Sequence, residues 1–212
     1  MRIAAVVHNG IKHDARVLKG AASLKAEGHD VRLFGLTPDE SKDFILPNGV
    51  PVHLQHRDLT GVKARIAEEG LERGRESSIW TSFRTQGDLV FESVKAAFTP
   101  DIVHIHDHLA LTAARRYKEA FGCPIIWDAH EIYEDLASIE EVRAVVNSRI
   151  IRENVRYIDG FITLNQSIAD FYRSKYPALP EAVLVPNAVE RIAQTSYDGR
   201  LHETAGLVAD QK

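Results

Sequence analysis

Short apolar runs alternate with amphipathic stretches along most of the chain. Ile3 to Val7 is one such run, and the polar turn His8-Asn9-Gly10 ends it. Asp14 then offers an N-cap. Val17, Leu18, Ala21, Ala22 and Leu24 recur at helical spacing, and Gly28 supplies a stop. Val31 to Leu36 is a second apolar run, so the opening predicts a parallel strand–helix–strand unit with a right-handed crossover. Pro38 to Gly49, rich in Asp, Ser, Pro and Gly, predicts a loop, and Val52 to Leu54 a short strand. Gly61 to Gly87 is ambiguous: it is highly charged and broken by Gly70, Gly74 and Gly87. Beyond it the pattern predicts helices over Asp88–Phe98, Leu109–Phe121, Ile139–Ile158 and Ser167–Tyr176. Strands are predicted over Ile102–His106, Ile125–Trp127, Phe161–Leu164 and Ala182–Val185. This sustained alternation predicts a doubly wound α/β fold, a mainly parallel sheet with helices on both faces. Residues 1–190 read as one domain and 191–212, polar throughout, as a linker.

Composition narrows the class. Hydrophobic residues make up 44% of the 212, enough for a substantial core. No apolar stretch is long enough to span a bilayer. Cys123 is the only cysteine, so an internal disulfide is excluded and a reducing, cytoplasmic setting is expected. A net charge of −4 gives no global attraction to nucleic acid.

Two segments carry most of the chemistry. Pro100-Asp-Ile-Val-His-Ile-His-Asp107 and Pro124-Ile-Ile-Trp-Asp-Ala-His-Glu131 each run from a proline through an apolar stretch to a His beside an acid. A strand buried on both faces has this signature. Ligands of open parallel sheets bind at the carboxyl ends of the strands, so both pairs are predicted on one functional rim. His106 and Asp107 are expected there, whereas His104 is expected in the core. His104, His106, Asp107 and His108 invite a zinc reading, but the string is one residue shorter than the metallo-β-lactamase motif, and no metal site is predicted. His130 can exchange a proton or bond a hydroxyl, and Glu131 either assists it or serves a nearby helix. Asn9 and Gly10 form either a plain tight turn or a backbone approach to an anion at the next helix N-terminus. Asp14 either caps that helix or faces the ligand. Arg149, Arg152 and Arg156 share one helix face, and Arg65, Arg73 and Arg75 lie among acids. Glu140, Glu141 and Glu153 dilute the first group, which predicts a solvated face.

Taken together, these segments resemble the N-terminal half of a family 4 glycosyltransferase of the GT-B fold. The strings that carry the resemblance are the two above, together with Tyr157-Ile-Asp-Gly-Phe-Ile-Thr-Leu-Asn165, Val185-Pro-Asn187 and the opening Asp14-Ala-Arg-Val17 and Gly28-His29-Asp30-Val31. The resemblance implies a Rossmann-like, acceptor-binding domain of a retaining hexosyltransferase. Its C-terminal partner domain, which grips the nucleotide-sugar, would follow the linker. No cofactor is implied beyond that donor as co-substrate. The implied partners are a sugar or glycolipid acceptor, with peripheral contact at the inner membrane face left open. By motif position His130 is the residue facing the transferred sugar, and Gly10 lies near the donor phosphates. Asn9, Asp14, His106, Asp107, Glu131, Asn165 and Asn187 are implied to line the cleft. The same architecture also admits a nucleotide-sugar epimerase or a non-catalytic subunit of a split transferase. Without the second domain the chain is expected to be inactive.

Overall fold

A computed structural model describes residues 1–70, 74–136, 138–188 and 200–206. Eight strands form one sheet: β1 (Arg2–Val6), β2 (Asp30–Thr37), β3 (Lys42–Ile45), β4 (Pro51–His56), β5 (Ile102–His106), β6 (Ile125–Ala129), β7 (Gly160–Thr163) and β8 (Ala182–Leu184). Their order is β3-β4-β2-β1-β5-β6-β7-β8, and every pairing is parallel except β3 with β4. The doubly wound, Rossmann-like α/β fold read from the alternation is therefore the observed one. The order reverses between β1 and β5, and the crevice outside such a switch point is where ligands bind.

The helices are α1 (Ala15–Ala26), α2 (Leu59–Gly70), α3 (Gly74–Ala97), α4 (Ala114–Phe121), α5 (Glu141–Asn154), α6 (Gln166–Lys175) and the short α7 (Arg200–Ala205). They are shared unevenly between the two faces. One face holds the larger core, where Val90 and Val94 of α3, Tyr117 of α4, Val146 and Ile150 of α5 and Tyr172 of α6 pack on the sheet. Trp127 is fully buried there between Phe161 and Tyr172, at ring distances of 5.3 and 5.1 Å. The other face holds a smaller core, with Val17 and Ala21 of α1 against Ile3, Ala5, Val31 and Leu33.

Three segments depart from the sequence expectation. The predicted loop at 38–49 contains β3, an antiparallel edge strand whose four residues are all exposed, so burial leaves no alternation for a pattern to reveal. The ambiguous stretch 61–87 holds α2 and most of α3. The predicted helix starts at Leu109 and Ile139 also shift: a 3-10 turn spans Leu109–Ala113 before α4, and α5 runs from Glu141 to Asn154 before a 3-10 turn at Val155–Tyr157. Of the expected linker, only residues 200–206 are described, and there α7 forms; the remainder lies outside the described residues.

Gly87 shows why the first part of α3, before the predicted helix at Asp88–Phe98, stayed ambiguous in the pattern. A glycine inside a helix ordinarily costs about 1 kcal/mol relative to alanine. Here a Cβ at Gly87 would lie 2.1 Å from Thr112 Oγ1 and 3.2 Å from Thr112 Cβ, so the absent side chain is what lets the turn at 109–113 press against α3. Thr112 is stiff and its hydroxyl donates to the Leu109 carbonyl at 2.8 Å, so it does not easily yield. Gly87→Ala is therefore expected to lower unfolding free energy by about 1–3 kcal/mol, against the sign of helix propensity. Adding Thr112→Ala should recover part of that loss. Urea unfolding of both variants checks this, and a stabilised Gly87→Ala protein contradicts it.

Candidate functional site

The rim at the carboxyl ends of β1, β5 and β6 gathers the polar residues. Asn9, Gly10, Asp14, His130, Glu131 and Asn187 line one cleft of about 710 Å³, together with Lys12 and Arg16. His106 ends β5 beneath it, its ring centroid 5.7 Å from that of His130. Asp107 follows in the left-handed region at φ 61, a conformation that Asp tolerates better than most residues. It is fixed there by its N–H on the Asp128 carbonyl at 3.1 Å and by its own carbonyl accepting from Trp127 Nε1 at 3.0 Å.

The loop from His8 to Asp14 is built by side-chain bonds and one glycine. Asn9 Oδ1 accepts from the Ile11 N–H at 2.7 Å, and Asn9 Nδ2 donates to Asp14 Oδ2 at 2.8 Å. Asp14 Oδ1 accepts from the Val17 N–H at 3.2 Å, so Asp14 caps α1, and it also lines the cleft. Ile11 sits at φ 65, a genuine strain for a β-branched residue, and its buried side chain in the smaller core holds it there. A Cβ at Gly35 would come within 2.5 Å of the Asn9 carbonyl oxygen, so β2 carries glycine where the loop rests on it.

Beneath the rim lies Asp128, which the sequence reading quoted but did not assign. Arg16 grips it with both edges of one fork, Nη2 to Oδ1 at 2.7 Å and Nε to Oδ2 at 3.0 Å, with both side chains nearly buried. The remaining Arg16 nitrogen, Nη1, donates to the Val185 carbonyl at 2.8 Å and to Asn187 Oδ1 at 3.1 Å. Three imidazoles face the same Asp128 oxygen: His104 Nε2 at 3.8 Å, His106 Nδ1 at 3.6 Å and His130 Nε2 at 3.6 Å. Burial alone would raise the Asp128 carboxyl, but the nearby imidazoles and the Arg16 bonds outweigh it and hold the group far below the usual carboxylate range.

His130 stands between two acids. Its Nδ1 is 3.2 Å from Asp107 Oδ1, and its Nε2 makes no protein hydrogen bond. Burial pulls the imidazole pKa down, but Asp128 and Asp107 together raise it above its ordinary value. Tyr133 organises this corner: its hydroxyl donates to Asp107 Oδ1 and accepts from the His130 N–H. Its own N–H donates to Tyr172 Oη at 3.0 Å, and Tyr172 Oη donates to the Glu131 carbonyl at 2.8 Å.

Not every expected residue joins the cleft. Asn165 caps α6, accepting from the Ile168 N–H at 3.0 Å, and is not among the lining residues. Its motif position is explained by the helix start. His104 is buried as expected, yet its Nε2 lacks a hydrogen bond, so it belongs to the Asp128 cluster rather than to a satisfied core. Donor atoms of His104, His106 and Asp128 lie within 4.8 Å of one another. A cation there would share Asp128 with the Arg16 guanidinium, which already balances it, so the set suits a buried ion pair better than a metal. His108 is directed elsewhere, stacked on Tyr133 at 4.2 Å. Sequence signals for the missed pair existed. An acid in the middle of a two-sided apolar strand demands a partner, and an Arg in the first turn of a helix opposes the helix dipole.

Buried neutral histidines make stability depend on pH. Burial depresses the imidazole pKa of His8 to about 3 and of His108 to about 4, and pushes that of His106 well down. The unfolded chain binds these protons near pH 6.5 and the folded chain does not. Stability therefore rises with pH through this window and is lost as pH falls from about 6.5 toward 4, by roughly 1.4 kcal/mol per pH unit for each histidine kept neutral. Urea unfolding at pH 7 and pH 5 is expected to show this fall, and His108→Gln should make it shallower. Equal stability at the two pH values contradicts the burial of these rings.

A family model described as a glycosyl transferase 4-like domain matches residues 14–188. No curated protein is significantly similar in sequence. Solved structures are similar in fold. A sucrose-phosphate synthase from Thermosynechococcus elongatus aligns at a TM-score of 0.68 and 12% identity, over 99% of this chain and 53% of that one. UGT2 from Phytolacca americana aligns at 0.57 and 10%, over 89% of this chain and 55% of that one. An alpha,alpha-trehalose-phosphate synthase (UDP-forming) from Burkholderia vietnamiensis aligns at 0.52 and 12%, over 82% and 43%. The chain spans about half the length of these proteins. Its sheet, its switch-point rim and the family match agree: this chain belongs to the glycosyl transferase 4-like family and has the fold of one half of a GT-B glycosyltransferase.

Proposed function

We propose that this chain is the acceptor-binding half of a cytoplasmic, retaining, metal-independent hexosyltransferase. The parent enzyme would move a sugar from a nucleotide diphosphate to a hydroxyl acceptor, a sugar or glycolipid. The observation that carries the reading is His130, held between Asp107 and Asp128 at the wall of the switch-point cleft. The family match supports a transferase parent. UGT2 from Phytolacca americana is complexed with UDP-2-fluoro-glucose, which supports a nucleotide-sugar donor here. No described helix is long and apolar enough to cross a membrane.

In such a transfer the sugar ring gains positive charge and the leaving diphosphate gains negative charge. His130 lines the cleft and would bond a sugar hydroxyl near the reacting carbon, while its buried Nε2 faces Asp128 at 3.6 Å. Asp107, Asp128 and Tyr133 hold the ring so that little reorganisation is needed when the transition state forms. Gly10 and the α1 N-terminus, with Lys12 beside them, would face the departing phosphate. Closure against a second domain would complete the cleft and exclude water that otherwise hydrolyses the donor.

His130→Ala in the protein that contains both halves is expected to cut turnover by about 100-fold or more with little change in melting temperature. A sharp fall in melting temperature with turnover retained would make His130 a structural residue. The 212-residue chain alone is expected to fold and to leave sugar nucleotides untouched. Calorimetric titration with uridine, guanosine and adenosine diphosphate sugars should give weak binding, and no nucleotide diphosphate should be released. Micromolar binding or turnover by the single chain would show that the second half is dispensable.

A further inference from the structure

A second cleft, of about 460 Å³, lies among α3, α4 and α5 and shares no lining residue with the candidate site. Five arginines reach it: Arg84 from α3, Arg115 from α4, Arg149 and Arg152 from α5, and Arg156 from the turn that follows. Glu153 is the one carboxylate among the lining residues. The sequence pattern assigned Arg149, Arg152 and Arg156 to a solvated face diluted by Glu140, Glu141 and Glu153. The fold directs Glu140 and Glu141 away from the cleft and leaves Glu153 in it, paired with Arg149. Glu140 turns to Arg75 at 2.7 Å and to Arg143 at 3.6 Å, and Glu140 and Glu141 do not line the cleft. Arg115 and Arg149 have partners in Glu119 and Glu153 at 2.7 and 2.8 Å. No acid in hydrogen-bond or ion-pair contact with Arg152 or Arg156 is found among the described residues.

Aromatic rings hold part of this charge in place. The Arg149 guanidinium lies over the Trp80 ring, 4.1 Å from its centroid, and that of Arg156 lies 4.9 Å from the centroid of Tyr157. An arginine stacked on a ring loses less side-chain freedom when it binds. Guanidinium groups stay charged at any physiological pH, so Arg152 and Arg156 add positive charge to this cleft that an incoming anion would offset. Glu119 and Glu153 answer Arg115 and Arg149, which leaves Arg152 and Arg156 as charge that no described acid contacts. A phosphate monoester or diphosphate carries nearly two or more negative charges and offers oxygens that match the guanidinium fork.

We infer that this arginine cleft is a binding site for a phosphate-bearing ligand, separate from the sugar-transfer cleft. The phosphate belongs either to a soluble organic phosphate or to the headgroup of an anionic phospholipid; the chemistry of capture is the same.

The test uses the 212-residue chain and the double variant Arg152→Glu/Arg156→Glu. Both positions are exposed, so the fold should survive the change, and circular dichroism checks it. Arg173→Glu, on the exposed surface of α6, is the charge-matched control. One arm titrates inorganic pyrophosphate by calorimetry. The other floats the protein with vesicles of phosphatidylcholine alone or with phosphatidylglycerol added. Saturable pyrophosphate binding that weakens about tenfold or more in the double variant, but not in the control, supports the site and a soluble ligand. Flotation with phosphatidylglycerol vesicles alone, lost in the double variant and kept in the control, supports it and assigns a lipid headgroup. Binding unchanged by the double variant, weakened equally by the control, or absent in both arms overturns the proposal. Because no arm reads sugar transfer, failure here leaves the transferase reading to its own test.

Discussion

The structure turns on one buried carboxylate. Asp128 sits near the end of a central strand with almost no contact with water, where an unpaired charge would cost several kcal/mol. Arg16 answers it from the first turn of α1 and, with its remaining nitrogen, takes hold of the chain as it leaves the sheet at Val185 and Asn187. One guanidinium therefore ties the first helix, the sixth strand and the exit segment into a single unit. Three histidines crowd the same carboxylate oxygen, and only His130 also reaches the open cleft. The charge on Asp128 thus also fixes the geometry of the rim.

The loops around that unit are held at a cost. Ile11 adopts a left-handed backbone that a β-branched residue avoids, and Asp107 adopts one just past the end of β5. Conformations of this kind cost about 1–3 kcal/mol each and persist where surrounding contacts over-determine them. Those contacts are present: the Asn9 side chain bonded to the Ile11 N–H, the Gly35 surface beneath the loop, and Tyr133 bonded to both Asp107 and His130. The loop pair is consequently held in shape by the protein's own contacts.

Much of this was legible in the sequence, and the failures have physical causes. Apolar runs ending in His and acid marked β5 and β6 because both faces of those strands are buried. Edge strand β3 was invisible because no face of it is. The second part of α3 was legible, but its first part was obscured by Gly87, which serves contact with Thr112 rather than helix propensity. His130, Glu131, Asn9 and Gly10 share one cleft, a placement open to sequence reading because strand ends and turns are local features. Arg16 with Asp128 was not paired, since 112 positions separate them and only the fold brings them together. Asn165 was over-read: an N-cap and a ligand contact ask for the same residue type.

The most direct measurement is a double-mutant cycle on the central pair. Unfolding free energies of the parent chain, Arg16→Met, Asp128→Asn and the double variant would be compared at pH 7. If Asp128 organises the rim through Arg16, each single change costs about 3–5 kcal/mol, because it leaves a buried charge alone. The double variant then costs much less than the sum, with a coupling of about 2 kcal/mol or more. Additivity to within about 0.5 kcal/mol would contradict the pairing and leave the geometry around His130 without its support.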